Sequence, residues 1–343
     1  MDAEELAAIP VWVDREVAKR RIPRLYSTLA SVLQNNANGS RQAFEEEKNR
    51  LVEAIGEVAL NALSDAQAEF LTEQLPLLPH LGSSGIDEVE GILFRNSLDF
   101  QTAINEMNRI SSEVQSAIER SNQIRDALSG LIYPYEAPED EVMIRVVFDH
   151  AASIDDVADF KKWANEWHDI GRGIAMSVGG TPKDLRIVGA QTGSIVITIA
   201  TTCVIARVVA SVLLKSLEVA EKVQGLRKMQ LEIEALKLSN TQAKEALKAQ
   251  AVEERKVGLE NISKSVSDGL ALDGEKITAL DKSINKLLGF IEKGGAVDVV
   301  LPLSSEDGAV EVDADMQKLS RDVMRIRELE RNTRLIAHED EES

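Results

Sequence analysis

Cysteine is nearly absent: the single residue Cys203 in a chain of 343 excludes an intramolecular disulfide framework. Aromatic residues make up only 4% of the chain, too few for a carbohydrate cleft or a base-stacking surface. Basic residues are outnumbered, with 39 Lys and Arg against 58 Asp and Glu. The resulting charge of −19 repels phosphate backbones and anionic membranes at long range. The first residues lack the basic-then-apolar layout of a secretory leader, so a cytoplasmic, reducing compartment is expected. No phosphate-binding loop, nucleophile elbow or paired catalytic carboxylate is present. No catalytic residue, cofactor or metal site is therefore expected.

What remains is a hydrophobic content of 44%, ample for burial, in a sequence dominated by Ala, Leu, Glu and Lys. That is the composition of helical bundles and coiled coils. Over 1–132 the apolar positions recur at helical intervals. Val13, Val17, Leu25, Leu29 and Val32 form a first segment, with Pro10 in its first turn and Pro23 as a kink or break. Phe44, Leu51, Ile55, Val58 and Leu63 follow in a second segment. Ser64 and Gln67 have the spacing of a capping box for a third. Val89, Leu93, Ile104, Met107, Ile110, Val114, Ile118 and Ile124 make one long helix or two in series. A bundle of about four members is expected.

Tyr133-Pro134-Tyr135-Glu136-Ala137-Pro138 marks a boundary, because proline forbids helix continuation and pushes its predecessor to extended geometry. Beyond it Val142, Ile144, Val146 and Phe148 alternate with Met143, Arg145 and Val147, the period of a half-buried strand. A helix carrying Phe160, Trp163, Trp167, Ile170 and Ile174 comes next, then strands at 185–190 and 194–200 around Gln191-Thr192-Gly193. Thr201 or Thr202 is expected to cap the helix that follows. The order β-α-β-β-α predicts a small antiparallel-rich sheet with helices on one face.

From position 219 onward Leu226, Met229, Ile233, Leu236, Asn240, Ala243 and Leu247 alternate by three and four, the pattern of an oligomeric coiled coil. One asparagine at such a site fixes register by pairing with its symmetry mate. Gly269 and Gly274 flank a turn before a helix through Ile277, Leu280, Ile284, Leu287 and Ile291. Segments 294–303 and 309–312 read as a short hairpin, and 314–336 as a last helix with Leu319, Val323 and Ile326.

Four sharper readings compete with these. A membrane span at 194–214 would place Arg207 in the bilayer at a cost of about 2.5–3.5 kcal/mol, and the alternation of Ile195, Ile197 and Ile199 favours a buried strand instead. A Cys203–His150 nucleophilic pair would need the thiol at a helix start, but its apolar surroundings favour a core residue. Gly171-Arg172-Gly173 does not follow a strand, as a phosphate loop must. Arg15, Lys19, Arg20, Arg21 and Arg24 form the one basic patch that could meet nucleic acid, with Asp14 and Glu16 beside them. His80, His150, His168 and His338 are scattered without metal spacing.

The stretch 141–223 resembles the amino-terminal domain of the death-receptor adaptor TRADD and the bacterial domains grouped with it. The likeness rests on the strand Val142 to Phe148, the helix with Trp163 and Trp167, the hairpin Leu185-Arg186-Ile187-Val188 and Ser194-Ile195-Val196-Ile197-Thr198-Ile199, and the helix that follows at once. It implies a protein-interaction module of a bacterial immunity system that recruits effectors, and it carries over no catalytic residue.

The expected architecture is therefore mainly α with a small α+β domain. It comprises a helical bundle at 1–132, the α+β domain at 139–218, a coiled-coil helix at 219–268, C-terminal helices with a hairpin at 273–337, and a disordered acidic tail at 338–343. The expected function is an oligomeric adaptor whose partners are its own copies and a protein effector. Nucleic acid is disfavoured as a partner, and a membrane-anchored sensor or an enzyme using Cys203 and His150 are the alternatives.

Overall fold

The structure, a computed structural model, describes residues 1, 3–39, 43–96, 99–131, 141–191, 195–235, 241–302 and 314–341. The chain divides into two units, Met1–Glu136 and Ala137–Ser343. The expected boundary at 133–138 itself lies outside the described residues.

The first unit is helical: α1 (Ala3–Val13), α2 (Ile22–Ala37), α3 (Glu45–Gly56), α4 (Asp65–Glu73), α5 (Gly82–Arg95) and α6 (Phe100–Leu128). Pro10 lies inside α1, later than the first-turn position expected for it. A π-helical turn at Asp14–Ala18 and a left-handed Arg21 (φ 59°) then redirect the chain, and Pro23 opens α2. The capping box forms as expected: the Ser64 hydroxyl accepts from the Gln67 amide, and Gln67 reaches back to the Ser64 N–H. Its members also tie α4 to α1, since the Ser64 hydroxyl donates to Glu5 and the Gln67 side chain to the Glu5 carbonyl. The apolar stretch at 86–128 is two helices, α5 and α6, separated near Asp99, whose carboxylate caps α6 by accepting from Thr102. Ile9, Trp12, Leu29, Leu33, Leu51, Ile55, Met107, Ile110 and Val114 are buried among the helices.

The second unit is built on β1 (Glu141–Phe148), α7 (Val157–Ser177), β2 (Arg186–Gln191), β3 (Ile195–Thr202), α8 (Cys203–Ala235), α9 (Thr241–Leu270), α10 (Gly274–Ile291), β4 (Ala296–Val300) and α11 (Ala314–Glu341). The four strands form one antiparallel sheet in the order β2-β3-β1-β4. Residues 296–300 thus join this sheet; segment 309–312, expected as their hairpin partner, lies outside the described residues. Val142, Ile144, Val146 and Phe148 face a core shared with Trp163 and Ile174 of α7, Val212 and Leu217 of α8, Ile262 of α9, Leu287 of α10 and Val323 of α11. Segments 139–218, 219–268 and 273–337 accordingly share one core, where the sequence suggested separate bodies.

The opposite sheet face carries charge. Arg145 and Asp298 stand opposite each other in the β1–β4 register, 3.7 Å apart and both buried. Arg327 of α11 approaches Asp298 at 3.2 Å and the Val299 carbonyl at 3.4 Å, while Glu330 accepts from the Val297 N–H at 3.5 Å. These two side chains occupy the outward backbone groups of β4, so α11 closes this sheet edge. The helix itself continues through Glu341, where a disordered tail was expected.

Candidate functional site on the helical hairpin

The heptad stretch does not form one rod. The described residues of 219–268 fall on α8 and α9, which pack against each other in opposite directions: Lys215 reaches Ser265, and Gly258 faces Val219. The approach is close, since a Cβ on Gly258 would stand 2.5 Å from Val219 Cγ2. A continuous helix at about 1.5 Å per residue would hold positions 215 and 265 some 75 Å apart. The correction has a legible origin. An apolar period of three and four states that a helix face is buried, and a neighbouring helix of the same chain satisfies it as well as a second chain does.

The seven expected association residues have different fates. Leu226, Ala243 and Leu247 are half-buried, and Met229 is exposed at 54%. Helix α8 includes Ile233, but its side chain, like Leu236 and Asn240 altogether, lies outside the described residues. No described residue between 224 and 250 is fully buried. Leu231 at 49% and Val252 at 64% add to the apolar surface that this half of the hairpin leaves in solvent. Nearer the sheet, a groove of about 310 Å³ runs between the two helices, with Lys215, Glu218, Lys222, Glu254, Asn261 and Ser265 on its walls.

The other sequence candidates resolve into structure. Stretch 194–214 is β3 followed by the start of α8, and among the described residues no helix is long and apolar enough to cross a membrane. Cys203 follows Thr202, which pairs with Glu141, whereas His150 lies two residues past Phe148, which pairs with Ile195. The length of β3, about 20 Å, separates the two, so they form no nucleophilic pair. Thr202 directly precedes α8, and the Thr201 hydroxyl donates to the Asp184 carbonyl.

Trp163 and Trp167 stack edge-on against Phe290 with centroids 5.2 and 5.3 Å away, and Phe148 completes the cluster. Phe160, expected on the same face, is 53% exposed. Gly171 and Gly173 lie inside α7. A Cβ on Gly173 would stand 2.0 Å from Ser283 Oγ, so this glycine serves the close crossing of α7 and α10 and not a phosphate. Beside that crossing Asp169 takes Lys282 at 2.8 Å and Lys286 at 2.6 Å, and their hydrogen bonds hold its carboxyl down at about 2.

In the first unit Arg20 bonds Glu16 and Glu57, both at 3.2 Å, and Lys19 lies 3.9 Å from Asp14, which neutralises much of the expected basic patch. His80, a residue the sequence left unassigned, is buried with Nδ1 2.7 Å from Glu88 and Nε2 3.2 Å from Glu113. Arg109 bridges Glu113 and Glu106 at 2.7 and 3.0 Å. The two carboxylates flank opposite sides of the ring and do not converge on a point. Among the described residues no group of His, Cys, Asp or Glu is arranged to hold a metal.

Compared with known proteins, the chain matches no family model, no curated protein and no solved structure.

Proposed function

We propose that the protein is an association scaffold that self-assembles through the outer half of the α8–α9 hairpin and presents its two units to a protein partner. The observation that carries this reading is the apolar surface of that half. Met229, Leu231 and Val252, all on the outer half of the hairpin, are about half exposed or more. Charge supports self-contact there. The chain as a whole carries −19, yet between positions 224 and 255 six Lys and Arg stand against five Glu, so like-charge repulsion does not oppose two copies meeting at this segment. The resemblance of 141–223 to the TRADD amino-terminal module supports a protein effector of a bacterial immunity system as the recruited partner.

The test is sedimentation velocity of the full chain over a wide concentration range, beside the triple variant Met229→Glu, Leu231→Glu, Val252→Glu. Wild type is expected as a dimer or larger species and the variant as a single chain of unchanged helix content by circular dichroism, because within one chain the replaced side chains stand in solvent. A wild type that sediments as one chain at every concentration overturns the reading.

A further inference from the structure

The groove between α8 and α9 holds a polar pair to which self-association gives no role. Lys215 on α8 extends across the groove and its ammonium nitrogen donates to Ser265 Oγ on α9. Thr72 and Thr278 donate to the carbonyl four residues back in their own helix, while Ser111, Ser263 and Ser283 donate to acceptors on neighbouring helices. At Ser265 the hydroxyl oxygen accepts, and its partner across the helices is an ammonium group. Burial pushes the Lys215 ammonium below the ordinary lysine value, Lys318 adds to that, and Glu218 and Asp322 oppose it. Val219, Val257 and Ile262 line the same groove, whose volume of about 310 Å³ suits a small acyl group. Asn261 also lines it, one turn before Ser265.

We propose that Lys215 and Ser265 form a serine–lysine dyad that takes an acyl group from a small ester or thioester bound in the groove. Lys215 in its neutral form accepts the Ser265 hydroxyl proton as Oγ attacks the carbonyl carbon. A carbon–oxygen bond forms and the carbonyl π pair moves onto its oxygen; among the groove-lining side chains, Asn261 and Lys222 carry N–H donors for that charge. Collapse breaks the bond to the leaving alcohol or thiol, which takes the proton from Lys215. Ser265 is left as an ester. Water activated by the same lysine then releases the carboxylic acid and restores the hydroxyl.

Treating the full chain with a fluorophosphonate probe and locating the adduct by peptide mass spectrometry tests this. The expected adduct sits on Ser265, is absent from Ser265→Ala, and forms about 100-fold more slowly in Lys215→Met, the size of a lost general base. Lys215→Arg keeps charge and reach but cannot accept the proton, so it should be equally slow and guards against a folding defect in the methionine variant. Three outcomes would overturn the dyad: no adduct above that of heat-unfolded protein, a rate unchanged in Lys215→Arg, or an adduct on Lys215 itself.

Discussion

Single side chains decide several points of this molecule, and two of them make measurable claims. Asp169 is held at about 2 by its hydrogen bonds to Lys282 and then Lys286, against an ordinary 3.8. A carboxyl depressed by folding contributes stability above its unfolded value, and the contribution is lost as pH falls through the folded one. The second unit should therefore lose stability between pH 3.8 and about 2 through this residue. With the carboxylate 22% exposed, solvent screening limits the effect to about 1 kcal/mol. Urea titrations of wild type and Asp169→Asn at pH 6 and below should converge as acid removes the charge; a difference independent of pH would refute the assignment. Asp298 is the second case, since it lies buried between Arg145 and Arg327. Asp298→Ala removes the buried carboxylate that both arginines approach and should cost about 3–5 kcal/mol in chemical denaturation. The Ser64–Gln67 capping box was legible because its chemistry is local in sequence. The Arg145–Asp298–Arg327 network was not, because its members are brought together only by strand register and by α11.

At the level of elements, periodicity told where helices and strands are and left open what they pack against. The strand 142–148 and the helices through Trp163, Ile284 and Val323 were readable from spacing alone. The α8–α9 hairpin was not, because a buried helix face looks the same in sequence whether its partner is another copy or the next helix. Gly173 shows the complementary blindness: its place in or at the end of a helix was legible, but the close crossing that requires a glycine there was not. Gly173→Ala should drive its Cβ into Ser283 Oγ and the Ala279 carbonyl, at 2.0 and 2.3 Å, and force α7 and α10 apart. The expected loss is about 1–3 kcal/mol by chemical denaturation. Stability equal to wild type would show that the crossing has slack.

For the whole molecule, the division into a helical unit and an α+β unit was legible from one proline-rich stretch and a change of hydrophobic period. The extent of the second unit was not. Residues 296–300 add the edge strand β4, and α11 seals it, through contacts that span most of that unit's sequence. The proposed association surface was half legible: the residues that repeat by sevens were visible, and of the described ones Leu226, Ala243 and Leu247 are half-buried while Met229 faces solvent. Whether two copies meet there can be read directly by placing one spin label per chain at position 231, as Leu231→Cys in a Cys203→Ala background, and recording the electron–electron dipolar signal. Two hairpins joined at their outer halves bring the labels of different chains together, so the account predicts a clear modulation that disappears on dilution with unlabelled chains. A featureless decay at concentrations where the protein sediments as more than one chain would place the assembly contact elsewhere and contradict it.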